Sequence, residues 1–173
     1  KNNNIFDEFE TLFRIFPNMI LVVPFRDPVQ QSNSLLRQHL NIKSKQKKNK
    51  FILEYMNSIG HHEFGLGYKF RRQPNKFHDT NNINHWIEQW YLFYLSAVNK
   101  FENNKSVYFL NYELMCEDEN YFRRFCKILD IDTQDSKNNF VNKNSYDPKD
   151  VNDKILSNSM DIFKYLLKIS KKI

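Results

Sequence analysis

Apolar residues recur at intervals of three and four over most of this chain, and two short stretches interrupt that rhythm with continuous runs. Ile5, Phe6, Phe9, Leu12, Phe13 and Phe16 fall on one face of a helix that Pro17-Asn18 stops. Met19-Ile20-Leu21-Val22-Val23 is apolar without alternation, the pattern of a strand covered on both faces of an open α/β sheet, and the strand is expected to reach Pro24. A helix follows from Pro28 to Leu40, with Asp27 as its cap and Leu35, Leu36, His39 and Leu40 on its inner face. Phe51 to Ile59 reads as a third helix, closed by Gly60 in the left-handed position of a helix end. Residues His61 to Asn81, with Gly65, Gly67, Pro74 and Arg71-Arg72, read as a long irregular loop of the kind that shapes a site. From Asn82 or Asn84 to about Asn103 runs a helix with a broad stripe of Trp86, Trp90, Phe93, Tyr94, Ala97 and Phe101, read as core. Ser106 to Leu110 is the second strand, Asn120 to Leu129 an amphipathic helix, and a last helix ends in Lys164, Lys168, Lys171 and Lys172. No repeat or linker divides the 173 residues, so one domain is expected.

Composition changes this picture little. With 40% hydrophobic and 16% aromatic residues the chain can build a core. No run approaches the roughly 18 apolar residues of a membrane span, and the start lacks the basic-then-apolar order of a signal peptide. Cys116 and Cys126 read as reduced thiols, which favours a cytoplasmic setting. The formal charge of +6 raises the question of nucleic acid. Lys43, Lys45, Lys47, Lys48 and Lys50 are read as a solvated loop between two helices; attraction of an anionic acceptor and binding of nucleic acid are the alternatives. No nucleic acid partner is expected.

The chemistry concentrates where the first strand meets the second helix. Arg26 stands at the carboxyl end of the strand, Pro28 and Asp27 open a helix there, and Ser34 follows Arg26 by eight positions on the second turn. A guanidinium offers a planar fork to phosphate oxygens and a hydroxyl adds one donor, so the two together suit a phosphomonoester. The alternatives are a salt bridge of Arg26 with Asp27 or Glu113, and back-bonding of Ser34 to its own helix.

Arg26-Asp27-Pro28 with Ser34 after a hydrophobic strand resembles the 3′-phosphate-binding segment of sulfotransferases that use 3′-phosphoadenosine 5′-phosphosulfate (PAPS). Asn111-Tyr112-Glu113-Leu114 is similar to that family's Tyr-Glu-Asp-Leu signature, the Asn120 helix running into Asp130-Ile131 follows as it does in family members, and Phe140-Val141-Asn142-Lys143-Asn144-Ser145 resembles the loop before the last helix of bacterial members. The resemblance spans roughly Phe13 to the C-terminus. It implies a P-loop NTPase-like α/β fold with a parallel sheet flanked by helices, and sulfuryl transfer from PAPS to a hydroxyl or amine of a small-molecule or carbohydrate acceptor. By the same resemblance, Tyr112 approaches the adenine, and Asn142 and Lys143 close over the 3′-phosphate. A buried core tyrosine is the other reading of Tyr112.

The family's Gly/Ser/Thr-rich phosphosulfate loop has no counterpart here: Gly60, Gly65 and Gly67 are the three glycines, and none stands between a strand and a helix. The chain therefore reads as the C-terminal portion of a sulfotransferase domain, incomplete at the N-terminus and inactive by itself, with further strands expected from elsewhere. Sulfuryl transfer also needs a base. The missing N-terminal part is expected to supply it; within this chain His61 and His62, beside Glu63, are the candidates, with acceptor-lining or structural roles the other reading. In the family the base usually lies ahead of the first strand, where nothing singles out Glu8 or Glu10. Arg71 and Arg72 suit an anionic acceptor or solvent equally. A metal site is not expected, because adjacent side chains rarely converge on one ion and His78 and His85 lack zinc spacing. Two other functions fit less well. A small-molecule kinase would want an acidic Mg²⁺ ligand at a strand end, for which Asp27 is the one candidate. A non-catalytic polyanion- or nucleic-acid-binding module would bind through Lys43 to Lys50.

Overall fold

The structure, a computed structural model, describes residues 8–132, 141 and 150–170. It is mixed α/β: among the described residues there are seven helices and one two-stranded parallel sheet. The elements are α1 (Phe9–Ile15), β1 (Leu21–Phe25), α2 (Pro28–Lys48), α3 (Lys50–Ser58), α4 (Ile83–Phe101), β2 (Val107–Asn111), α5 (Tyr112–Glu117), α6 (Glu119–Ile128) and α7 (Asp153–Ser170). No helix among them is long and apolar enough to cross a membrane. Two compact units form, one drawing on Lys1–Asp27, Ala97–Asn144 and Phe163–Ile173, the other on Pro28–Ser96 and Ser145–Ile162.

In the first unit β1 and β2 pair in parallel, Leu21 opposite Val107 and Phe25 opposite Asn111, so both strands deliver their carboxyl ends to one place. Leu21, Val23 and Phe25 are buried while Val22 is half-buried and Pro24 exposed. The strand is thus covered mainly on one face, in contrast to the two-sided burial that its unbroken apolar run suggests. Val22 and Tyr108 pack on a core of Leu110, Met115, Tyr121 and Phe125 supplied by β2, α5 and α6. Phe25 meets Phe163 edge to face, and Phe9 and Phe13 set α1 on Phe101. Cys116 and Cys126 are both free thiols, and burial raises the Cys126 pKa.

The second unit departs further from the hydrophobic pattern. α2 continues to Lys48, eight residues past the expected end at Leu40, so Lys43, Lys45, Lys47 and Lys48 are helical and not a loop. Lysine and glutamine are good helix formers, and cations suit a helix's carboxyl end. Its buried side carries Ser32, His39 and Gln46 at seven-residue intervals, whereas Leu40 is exposed. His39 and Gln46 hold the irregular segment after α3. Gly65 N–H donates to His39 Nδ1 (3.1 Å) and Leu66 N–H to Gln46 Oε1 (2.6 Å). Gly65 has φ +85° and sits so close to α2 that a Cβ there would lie 2.2 Å from Gln46 Oε1. α3 ends as its sequence predicts: Gly60 is left-handed at φ +69°, with Gly60 N–H donating to Asn57 O and His61 N–H to Met56 O.

α4 secures the same segment from its other end. The Glu88 carboxylate, 4% exposed, accepts from the N–H groups of Asn75, Lys76 and Phe77. Gln89 bonds Arg72 in both directions, and Trp86 Nε1 donates to Thr80 O. His85 Nδ1 meets Phe77 O at 2.7 Å, so its Nε2 is the acceptor for the Tyr68 hydroxyl at 3.0 Å. One apolar cluster of this unit is Ile83, Ile87 and Ile155, with Leu36, Phe77, Tyr91 and Val151 around them. Side chains of His39, Tyr68, His85 and Trp86 form an aromatic cluster beside it.

Glu88→Ala removes a charged acceptor from three main-chain donors and is expected to destabilise the fold by about 3 kcal/mol, with Glu88→Gln costing less because one acceptor oxygen remains. Urea unfolding measures both. A pH dependence follows from His39. Burial first, then Lys43 and His85, lowers its pKa from 6.5 to about 4. The unfolded chain therefore takes up the proton first, so the stability that this neutral ring contributes is complete above pH 6.5 and falls as pH drops toward 4. The expected loss is about 2–3 kcal/mol, and His39→Gln should flatten the dependence of Tm on pH across that window.

Candidate functional site

Parallel pairing brings Arg26, one residue past β1, to the start of α5, which begins directly after β2. Asn111 ends the strand in extended backbone and caps α5, its Oδ1 accepting from Leu114 N–H at 2.6 Å. That cap points Tyr112 and Glu113, the first two residues of the helix, toward the end of β1. Glu113 is the hub. Its Oε1 accepts from Asp27 N–H (3.0 Å) and lies 3.6 Å from Arg26 Nε, while Oε2 accepts from the Asn111 amide (3.1 Å). Side chains of both Arg26 and Glu113 are about four-fifths covered, at 20% and 16% exposure. Burial raises the Glu113 pKa; the Asp27 N–H and Arg26 oppose the shift.

The Arg26 guanidinium lies over the Tyr112 ring, 5.1 Å from its centroid. The Tyr112 hydroxyl donates to Val141 O at 3.0 Å. Burial and the neighbouring Cys116 raise the tyrosine's pKa, with Arg26 acting in the opposite direction. A cation, an aromatic face and a helix start therefore share one spot at the strand ends, an arrangement able to bind an anion attached to a flat ring. Asn142 and Lys143, which follow Val141 in the sequence, lie outside the described residues.

Of the residues singled out from sequence, the structure unites Arg26 with Tyr112 and Glu113. The salt bridge of Arg26 with Glu113, one of the two roles open to that arginine, is present. Comparison with protein-family models, curated proteins and solved structures finds no match. Ser34 belongs to the second unit, exposed on the second turn of α2. His61 and His62 belong there as well: the His61 N–H closes α3, and His62 Nδ1 meets Gly67 O at 3.0 Å. Glu63 pairs with Arg71 at 3.6 Å. Among the described residues no three His, Cys, Asp or Glu side chains gather as a metal site would require.

Asn111 opens the Asn111-Tyr112-Glu113-Leu114 motif named from the sequence, but its role as the cap of α5 comes from the structure. The cap's signal was in the sequence, an asparagine between a strand's last apolar residue and a helix, three before the N–H that it caps. Asn111→Ala is expected to cost about 1–2 kcal/mol through the lost cap and the lost amide donor. Asn111→Asp keeps the cap acceptor but sets a second carboxylate against Glu113. Its Tm deficit should therefore be larger at pH 7 than at pH 5, where a carboxyl can take up a proton; thermal melts at the two values decide.

Proposed function

We propose that the ends of β1 and β2 form the 3′-phosphate side of a PAPS site, and that the protein is a sulfotransferase of P-loop-like α/β fold acting on a hydroxyl or amine. The observation that carries this reading is the largely covered Arg26 guanidinium, lying over Tyr112 and braced through Nε by Glu113, at the carboxyl ends of two parallel strands. Open α/β sheets bind their ligands at such ends. Arg26 would hold the phosphate by charge-assisted hydrogen bonds, and Tyr112 would flank the nucleoside. Glu113 supplies no bond to the ligand in this reading; it fixes the arginine and the Asp27 main chain.

In the reaction the acceptor's oxygen or nitrogen attacks sulfur, the bond from sulfur to the bridging phosphate oxygen breaks, and the acceptor's proton passes to a base. 3′-Phosphoadenosine 5′-phosphate leaves, and no metal is required. His61 and His62 remain the candidates for the base, with Gly67 O a competing partner for His62.

Titration calorimetry with 3′-phosphoadenosine 5′-phosphate tests the assignment. Arg26→Lys, which keeps the charge and loses the fork, is expected to weaken binding about tenfold, and Arg26→Ala by up to about a hundredfold. Replacing Lys43, Lys45, Lys47, Lys48 and Lys50 by glutamine should leave it unchanged. Affinity that ignores Arg26 and follows the lysines would instead support a polyanion-binding module.

A further inference from the structure

α3 turns an apolar ridge outward. Phe51, Tyr55 and Ile59, at successive four-residue steps, are 68%, 54% and 58% exposed, and the first two rings stack 6.1 Å apart at 20°. The helix is held in that orientation by its other side, where Met56 is buried and its Sδ accepts from Gln46 Nε2 at 3.2 Å. Asn49 caps α3 immediately after α2 ends, so the lysines of the last turn of α2, Lys45, Lys47 and Lys48, adjoin the ridge along the chain. Across residues 43–59 five lysines face a single acid, Glu54, which pairs with Lys50.

We propose that this corner docks on an anionic lipid bilayer, the ridge entering the headgroup boundary and the lysines meeting lipid phosphates. Charge decides the sign of the partner: a cluster of lysines attracts an anionic surface. Shape decides its kind. The ridge is about 12 Å long, shorter than the several heptads that a coiled-coil seam between copies needs. A nucleic acid would engage the lysines and stack on the rings but leave Ile59 without an apolar partner. A bilayer interface takes all of these together, because aromatic and aliphatic groups sink to the acyl boundary while lysine stems keep their ammonium groups at the phosphates.

Co-sedimentation of the chain with vesicles tests this. Binding to vesicles of phosphatidylcholine mixed with phosphatidylglycerol is expected to be about tenfold or more stronger than to phosphatidylcholine alone, and to weaken in high salt. Both Phe51→Ser/Tyr55→Ser/Ile59→Ser and Lys45→Gln/Lys47→Gln/Lys48→Gln should each cost about tenfold. Phe51→Trp keeps the ridge apolar and serves if the serine variant unfolds: the fluorescence of its added indole should be quenched by brominated lipids. No binding to the mixed vesicles, binding indifferent to the ridge, brominated lipids that quench the Phe51→Trp variant no more than the parent chain, or self-association abolished by the serine variant would each overturn the proposal.

Discussion

One carboxylate organises the ends of the parallel strands. Glu113 accepts the Asp27 N–H from the chain leaving β1 and the Asn111 amide from the end of β2, and it braces Arg26. A carboxylate so covered would be costly without donors, and here each oxygen has one. The contacts depend on one another in a fixed order. Parallel pairing sets the two strand ends side by side, the Asn111 cap starts α5 at once, and the helix start then delivers Tyr112 and Glu113 to Arg26. Without the pairing register Glu113 could reach neither the Asp27 N–H nor Arg26, whereas the two Asn111 contacts are local to the corner.

The second unit solves a different problem by related means. The segment from Gly60 to Asn82 carries little regular structure, and its main-chain polar groups need partners. α2 supplies His39 and Gln46, and α4 supplies His85, Trp86, Glu88 and Gln89. Polar side chains on the inner faces of two helices thus meet the hydrogen-bonding needs of that segment beside the apolar residues buried with them. Ser32 Oγ and His39 Nε2 are buried without a hydrogen-bond partner among the described residues.

Local signals suffice where short-range chemistry governs. Gly60 closes α3 as expected, because an αL residue after an amphipathic turn answers only to its own neighbours. The two strands, and the arrival of α4, also follow from runs and periods that need no tertiary information. Apolar character is a poorer guide to burial in this chain. On α2 Leu40 is exposed while His39 and Gln46 are buried, since that helix faces a segment whose main chain needs hydrogen bonds. The same demand buries Glu88 on the side of α4 opposite its aromatic stripe, where no apolar pattern announces burial.

The sequence alone determined the mixed α/β class, most element positions, and Arg26 as an arginine at a strand end ahead of a helix. It could do so because propensity, capping and periodicity act within a turn or two of the chain. Only the tertiary structure decided that Glu113, 87 residues from Arg26, is that arginine's partner, that Tyr112 lies under the guanidinium, and that the lysine segment is helical. Pairing register and the allocation of buried hydrogen bonds depend on which distant groups meet, and no local pattern encodes that choice.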